Sequence, residues 1–157
     1  MRRALPHLLH RPGRLVVSVF RLTNETPEDE LHADVAAMLD LMVRPPAVWT
    51  TFPAGNVQLP KHAAAKLTRL GLKRGWPDIL IVHGGVYGIE LKREGGRLSK
   101  TRIVRTRSGA MRVLDGQADV FARLGLAGMA IAVCRDKDEV LEALTEWGVP
   151  VRGRVAA

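Results

Sequence analysis

Three charged residues stand close together in a stretch that is otherwise apolar. Asp78 precedes an apolar run at 79–82, and Glu90 and Lys92 end a second run that begins at Val86. An unpaired buried carboxylate or ammonium group costs several kcal/mol, so a strand that only filled a core would not carry three. Two carboxylates can share one Mg²⁺, which also takes water and substrate phosphate as ligands. A lysine beside them can stabilise negative charge that develops during attack on a phosphate.

The two apolar runs predict two β-strands joined through His83-Gly84-Gly85. Residues two apart in a strand face the same side, so Glu90 and Lys92 share a face, roughly 6–7 Å apart along the strand. The position of Asp78 depends on the register. A two-residue turn would place Asp78 opposite Leu91, whereas a three-residue loop that closes on a left-handed glycine places it opposite Glu90. We predict the three-residue loop, because it brings the two carboxylates together.

Further elements must hold this hairpin in place. Apolar spacing predicts the order helix, strand, helix, hairpin, helix, strand, helix. The hairpin is apolar on both faces, so we expect it inside a mixed sheet with helices on each side, in an α/β fold. The predicted elements are a helix from 27 that ends before Pro45, a strand at 48–53, a helix at 61–70, a helix from 117 stopped at Gly125, a strand at 129–134 and a helix at 136–147.

The residues around this hairpin are similar to a nuclease signature. Pro77-Asp78 followed by Glu90-Leu91-Lys92 resembles the PD-(D/E)XK nuclease superfamily. The spaced glycines and Trp76 before that aspartate, a Gly-Arg-Leu-Ser at 96–99 and Gln117 are similar to the virus-type replication-repair nuclease (VRR-NUC) family within it. The resemblance covers most of the chain and implies a restriction-endonuclease-like core, with a central mixed sheet flanked by helices.

The family implies metal-dependent hydrolysis of phosphodiester bonds in DNA. Asp78 and Glu90 would hold Mg²⁺, or Mn²⁺ in its place, with help from the backbone carbonyl of Leu91. Lys92 would orient or deprotonate the attacking water. Gln117 would order the lysine, a water or a phosphate. These four side chains are the predicted catalytic set.

A glutamate that opens the first helix also reaches the metal in this family. Thr26 and Pro27 are typical of an N-cap and a first helical residue, and acids in the first turn suit the helix dipole. Dipole stabilisation alone would explain Glu28. Alignment of the apolar positions favours Glu28 as the metal-site residue and leaves Glu30 one register away.

The chain is basic, with 24 lysines and arginines against 16 acids and a formal net charge of +8. Such charge favours a polyanionic partner, although many soluble proteins are equally basic. In the family, the helix that bears the glutamine begins almost directly after Gly-Arg-Leu-Ser. In this chain a basic insert at about 97–114 comes before that helix, with a possible hairpin turn at Ser108-Gly109. We interpret it as a mobile flap over the DNA backbone, with a passive solvated loop as the alternative. The predicted nucleic-acid contacts are Lys73, Arg74, Arg97, Ser99, Lys100, Arg102, Arg105 and Arg107.

Small stand-alone members of the family resemble nucleases of DNA repair and recombination that act on branched DNA, including Holliday junction resolvases. The resemblance therefore implies a branched DNA partner, a possible homodimer and a place in the cytoplasm or wherever DNA is handled. Two alternatives stay open: a nucleic-acid-binding module that does not cleave, and a sequence-specific restriction-type endonuclease.

Chain length, cysteine content, histidine spacing and the length of the apolar runs bear on which other classes of protein the sequence fits. A chain of 157 residues fits one domain at 25–150, between a basic arm at 1–24, expected to be poorly ordered, and a loose tail at 151–157. Cys134 is the single cysteine and lies in an apolar run, so we expect a buried thiol and no intrachain disulfide. The histidines lack zinc-site spacing, and apolar runs fall short of the ~18–20 residues of a membrane span.

Overall fold

The computed structural model describes residues 26–52 and 60–153. They form a four-stranded sheet, a separate two-stranded ribbon and helices packed on the sheet. The predicted order of helices and sheet strands is confirmed, and the insert does form a hairpin. The elements are α1 (Pro27–Met42), β1 (Val48–Thr51), α2 (Lys61–Arg69), β2 (Ile79–Val82), β3 (Val86–Leu91), β4 (Arg102–Arg105), β5 (Met111–Leu114), α3 (Gln117–Leu126), β6 (Ala130–Cys134) and α4 (Lys137–Glu146).

The sheet has the order β1-β2-β3-β6 and is mixed, as predicted. The first three strands are antiparallel, while β3 and β6 are parallel. Val82 pairs with Val86, so the predicted three-residue loop is confirmed, and the same register places Asp78 opposite Glu90. The left-handed residue of the loop is the middle one, Gly84, with a φ of 65°, and not the last.

One face of the sheet carries the main core. Alternate residues of β2 and β3 point to this face, where they meet apolar side chains of α1 and α4. Cys134 of β6 lies in this core as predicted, and burial raises the pKa of its thiol to about 12. The central members of the core are Val35, Leu39, Ile79, Ile81, Ile89, Leu91, Val140 and Leu144.

The opposite face carries Leu80, Gly88 and Glu90, and α3 packs beside it against β6. The sheet thus has helices on both sides, as expected from strands that are apolar on both faces. The predicted stop of α3 at Gly125 is wrong, because the helix continues to Leu126. Ala127 is the C-cap, and Gly128, with a φ of 95°, is the left-handed residue that follows it.

The ends of the other elements follow local chemistry. Thr26 caps α1 in a capping box with Asp29, as the N-cap prediction required. Strand β1 ends at Thr51 rather than at residue 53, which lies outside the described residues together with the arm at 1–24. In the tail predicted to be loose, Val151 forms a bridge with Val43, and the Arg152 N–H donates to the Met42 carbonyl.

None of the helices within 26–52 and 60–153 combines the length and the apolar character that crossing a bilayer requires.

Gly88 allows the close approach that positions the site. A Cβ atom at this residue would lie 2.6 Å from Cγ of Pro77 and 3.4 Å from Cγ1 of Ile131. We expect Gly88→Ala to lower the free energy of unfolding by about 1–3 kcal/mol, because the buried Pro77-Asp78 segment must move to make room. Urea unfolding followed by circular dichroism measures this loss.

Gly85→Ala is the matched control in the same hairpin. The atoms nearest to a Cβ there belong to the Tyr87 side chain, and the closest of them, the hydroxyl, lies at an ordinary 3.5 Å, so we expect a change within about 0.5 kcal/mol. Equal stability of the two variants would contradict the proposed role of the Gly88 contact.

Candidate active site

The charged end of the hairpin brings the predicted carboxylates together. Asp78 and Glu90 are opposite each other in the β2–β3 register, on the face turned away from the main core. Oδ2 of Asp78 accepts a hydrogen bond of 2.9 Å from the Leu91 N–H, which fixes the aspartate against the end of β3. The two residues are only 6% and 0% exposed. Two acids are therefore buried side by side in the sheet.

The Glu90 carboxylate is the centre of the polar network. Its Oε1 lies 2.6 Å from Nζ of Lys92 and also accepts a hydrogen bond from Nε2 of Gln117. Its Oε2 is buried and has no hydrogen-bond partner among the described residues. Since buried polar atoms are nearly always satisfied, this oxygen indicates a site for a water or a cation.

Lys92 connects Glu90 to the first helix. Its Nζ lies 3.9 Å from Oε1 of Glu28, whereas Glu30 is exposed, so Glu28 is the glutamate of α1 that faces the site. Burial acts to lower the pKa of Lys92, but the hydrogen bond and the charge of Glu90 outweigh it, and the net pKa is raised. The side chain is therefore a charged donor, suited to orient a water or a phosphate oxygen rather than to accept a proton.

The acids repel each other electrostatically. The pKa of Glu90 is raised to about 7. Burial is the largest cause of this shift, and the negative charge of Asp78 is the second. The pKa of Asp78 is also raised, chiefly by burial, although the Leu91 hydrogen bond opposes that shift. A cation between the two carboxylates would compensate both effects, since an adjacent positive charge favours the ionised form.

The start of α3 positions Gln117. Gly116 packs directly on the backbone around Lys100, and a Cβ atom there would overlap that backbone. The Gly116 N–H donates to Oγ1 of Thr101 at 2.9 Å, and the Gln117 N–H donates to Oγ of Ser99 at 3.0 Å. In return the Ser99 N–H donates to Oε1 of Gln117 at 3.3 Å. Ser99, predicted as a nucleic-acid contact, therefore also holds the glutamine that reaches Glu90.

Two clefts are lined in part by residues of this network. The first, of about 360 Å³, is lined by Glu28, Lys92, Arg93 and Arg97 together with residues 26, 27 and 96. The second, of about 300 Å³, brings together Arg74, Lys100 and Arg102 beside Ser99. Asp115 also lines the second cleft, but its carboxylate pairs with Arg123 at 3.0 Å. Of the predicted nucleic-acid contacts, Lys73, Arg105 and Arg107 line neither cleft, and the other five do.

His32 and Arg93 were not predicted as site residues. The pKa of Asp78 is raised chiefly by burial, and the charge of His32 opposes that shift in part. His32 follows Glu28 by four residues in α1, and that spacing places both on one helical face. The signal was therefore present in the sequence, whereas the place of Arg93 in the first cleft depends on the path of the chain after β3.

The carboxylate oxygens of the site suit a hard cation that takes few ligands from the protein. Within 26–52 and 60–153, no group of three or more histidines, cysteines, aspartates or glutamates is arranged to hold a metal. Among the described residues only Asp78 and Glu90 supply buried carboxylates, and Oε2 of Glu90 has no hydrogen-bond partner there. Mg²⁺ commonly takes only one or two carboxylates, with water and phosphate as its other ligands. The residues present therefore fit Mg²⁺, while Glu28 is paired with Lys92.

Comparison of the chain with protein-family models, with curated proteins and with solved structures finds no match. The site is defined by the buried acid pair, by the lysine and glutamine on one carboxylate oxygen, and by the two clefts with basic lining residues.

The raised pKa of Glu90 predicts how stability depends on pH. Between its ordinary value of 4.5 and about 7, the folded protein retains a proton that the unfolded chain has released. The free energy of unfolding should therefore fall as pH rises through this window and then level off. Glu90→Gln keeps the shape of the side chain and removes its titration, so the fall should shrink to the part contributed by Asp78.

Urea unfolding in chelator at a series of pH values measures this slope. Glu142→Gln, at an exposed glutamate of α4, is the matched control and should follow the wild-type curve. A wild-type stability that rises from pH 4.5 to 7, or an unchanged slope in Glu90→Gln, would contradict the assigned ionisation.

Proposed function

We propose that this protein is a metal-dependent DNA endonuclease with a VRR-NUC type of site within the PD-(D/E)XK superfamily. The observation that carries the proposal is the Glu90 carboxylate. It is fully buried opposite Asp78, bound through Oε1 by Lys92 and Gln117, and has its Oε2 without a protein partner among the described residues. A purely structural ion pair would not require a second buried acid beside it.

Each side chain has a role that follows from its contacts. Asp78 and Glu90 would hold Mg²⁺ or Mn²⁺, with the Leu91 carbonyl as a third donor from the family pattern. The bound cation would polarise the scissile phosphate and lower the pKa of a water. Lys92, as a charged donor, would orient that water or a phosphate oxygen. Gln117 keeps the Glu90 carboxylate in one orientation.

The position of the clefts supports a nucleic-acid substrate. Arg93 and Arg97 line the first cleft together with Lys92, and Arg74, Lys100 and Arg102 line the second cleft together with Ser99, which holds Gln117. A DNA backbone bound in these clefts would therefore meet cations close to residues of the site, which would help to position the scissile phosphate for attack. The resemblance extends the proposal to branched DNA and to a homodimer with two sites on a two-fold symmetric junction.

Cleavage assays test the activity directly. We expect purified protein to nick a four-way junction or flap with Mg²⁺ or Mn²⁺ and to bind without cutting in chelator. Lys92→Ala and Asp78→Asn should each lower the rate of cleavage by about 10²-fold or more while binding persists, because they remove electrostatic stabilisation of the reaction. Linear duplex and single strand are assayed in parallel.

Lys137→Ala is the control for removal of a lysine. Its ammonium lies 3.6 Å from Asp34 on the α1–α4 side and should not affect cleavage. Retained cleavage in both site variants would defeat the site assignment. Binding without nicking under every metal condition would favour the non-cleaving module, and cutting of linear duplex at fixed sequences would favour a restriction-type enzyme.

The ribbon of β4 and β5 should contribute phosphate contacts. Arg102 pairs with Leu114, so residues 103–113 can be replaced by Asn-Gly, which joins two antiparallel strands in a tight turn. The replacement removes Arg105, Arg107 and Arg112. If all three contact phosphate, the slope of log affinity against log salt should fall by about 2.7 on duplex DNA.

Fluorescence anisotropy at a series of salt concentrations measures this slope. The replacement leaves Ser99 and Thr101 in place, so the start of α3 keeps its contacts. An unchanged slope and affinity would identify the insert as a passive solvated loop.

A further inference from the structure

The ribbon has two unlike faces. Directly opposed residues of antiparallel strands point to the same side, so the pairing defines an outer face that consists of Ile103, Arg105, Met111 and Val113. Ile103, Met111 and Val113 are 64%, 67% and 59% exposed, whereas Val104 and Leu114 on the other face are half-buried. The outer face is thus an apolar surface turned away from the body of the protein.

The charge around this face indicates the kind of surface that it would bind. Residues 95–114 carry six cations and no acid. An apolar patch bordered by positive charge complements an apolar surface bordered by negative charge. A base pair at the end of a stack has this form, because its flat face is apolar and phosphates lie at its margins. The six cations are Arg97, Lys100, Arg102, Arg105, Arg107 and Arg112.

We propose that the outer face docks on the exposed face of a base pair where the stacking of DNA is interrupted, at a branch point, gap or end. The proposal rests on the proposed function and adds how the substrate is recognised. Aliphatic side chains such as isoleucine and methionine are used by other DNA-binding proteins against base steps. Arg105 and the neighbouring cations contact the flanking phosphates.

Other occupants fit the outer face less well. The grooves of a continuous duplex present hydrogen-bonding base edges, and Arg105 is the single strong side-chain donor of the face. The apolar faces of the bases are hidden inside a continuous stack. A second copy of the chain would bring the arginines of one ribbon against those of the other, and like charges across an interface are unfavourable.

The foot of the ribbon, where Arg102 pairs with Leu114, connects the outer face to the active site. Arg102 lines the second cleft with Arg74 and Lys100, and Gly116 packs on the adjacent backbone. Gln117 follows and bonds to Glu90. Strands of four residues span ~13 Å, which is about four base-pair steps. Cleavage should therefore fall within about four nucleotides of the interruption.

Binding to two dumbbell DNA molecules in chelator tests the proposal. One is a covalently closed dumbbell duplex without ends, and the other is the same dumbbell with a one-nucleotide gap. Wild-type protein should bind the gapped dumbbell about tenfold more tightly, because apolar area is buried only there. A 2-aminopurine beside the gap should change its fluorescence on binding.

Substitutions on the outer face separate its apolar character from its charge. Ile103→Thr with Val113→Thr keeps the β-branched shape and the net charge, and should lose the preference for the gap while binding to the closed dumbbell changes less than about twofold. Ile103→Val with Val113→Ile keeps the face apolar and should retain the preference. Leu126→Thr, at an exposed leucine at the end of α3, is the matched control.

Four results would overturn the proposal. Equal wild-type affinity for the two dumbbells, or an unchanged preference in the double threonine variant, refutes the docking while metal-dependent cleavage can still stand. A wild-type dimer that becomes monomeric in the same variant, by analytical ultracentrifugation, assigns the outer face to a second copy. Absence of binding to either DNA refutes the docking, and only absence of cleavage with Mg²⁺ and Mn²⁺ refutes the nuclease.

Discussion

The arrangement of this protein depends on the cost of burying the Glu90 carboxylate. The side chain is fully enclosed, and burial together with Asp78 raises its pKa to about 7. Lys92 and Gln117 offset that cost through one oxygen and leave the other without a partner among the described residues. A core residue of the same size would be more stable, so the acid pair is retained at the expense of stability.

The parts of the fold that follow from local rules could be predicted. The loop length fixed the register that sets Asp78 opposite Glu90, and the Thr26 cap fixed the start of α1. The end of α3 could not be placed, because a glycine inside a helix is tolerated and only the left-handed Gly128 stops it. The bridge between Val43 and Val151 joins residues far apart in the chain, and no local pattern specifies such a contact.

The site was predictable to the extent that its members share a strand or a motif. Glu90 and Lys92 share one face by strand periodicity, whereas the arrival of Gln117 depends on contacts of Gly116 and Ser99 across the insert. Three-dimensional packing leaves Oε2 of Glu90 without a hydrogen-bond partner among the described residues. It also places the Lys92 ammonium group near both Glu28 and Glu90. Residue types therefore indicated the chemistry, and packing determined which oxygen is available for it.

The close contact between Gly116 and the backbone at 99–101 forms a joint between the ribbon and α3. That joint holds the foot of the ribbon and, through the Ser99 bonds, the first turn of α3. The amide of Gln117 in turn bonds to Glu90. The ribbon and the acid pair are therefore connected by an unbroken path of contacts that involves only a few residues.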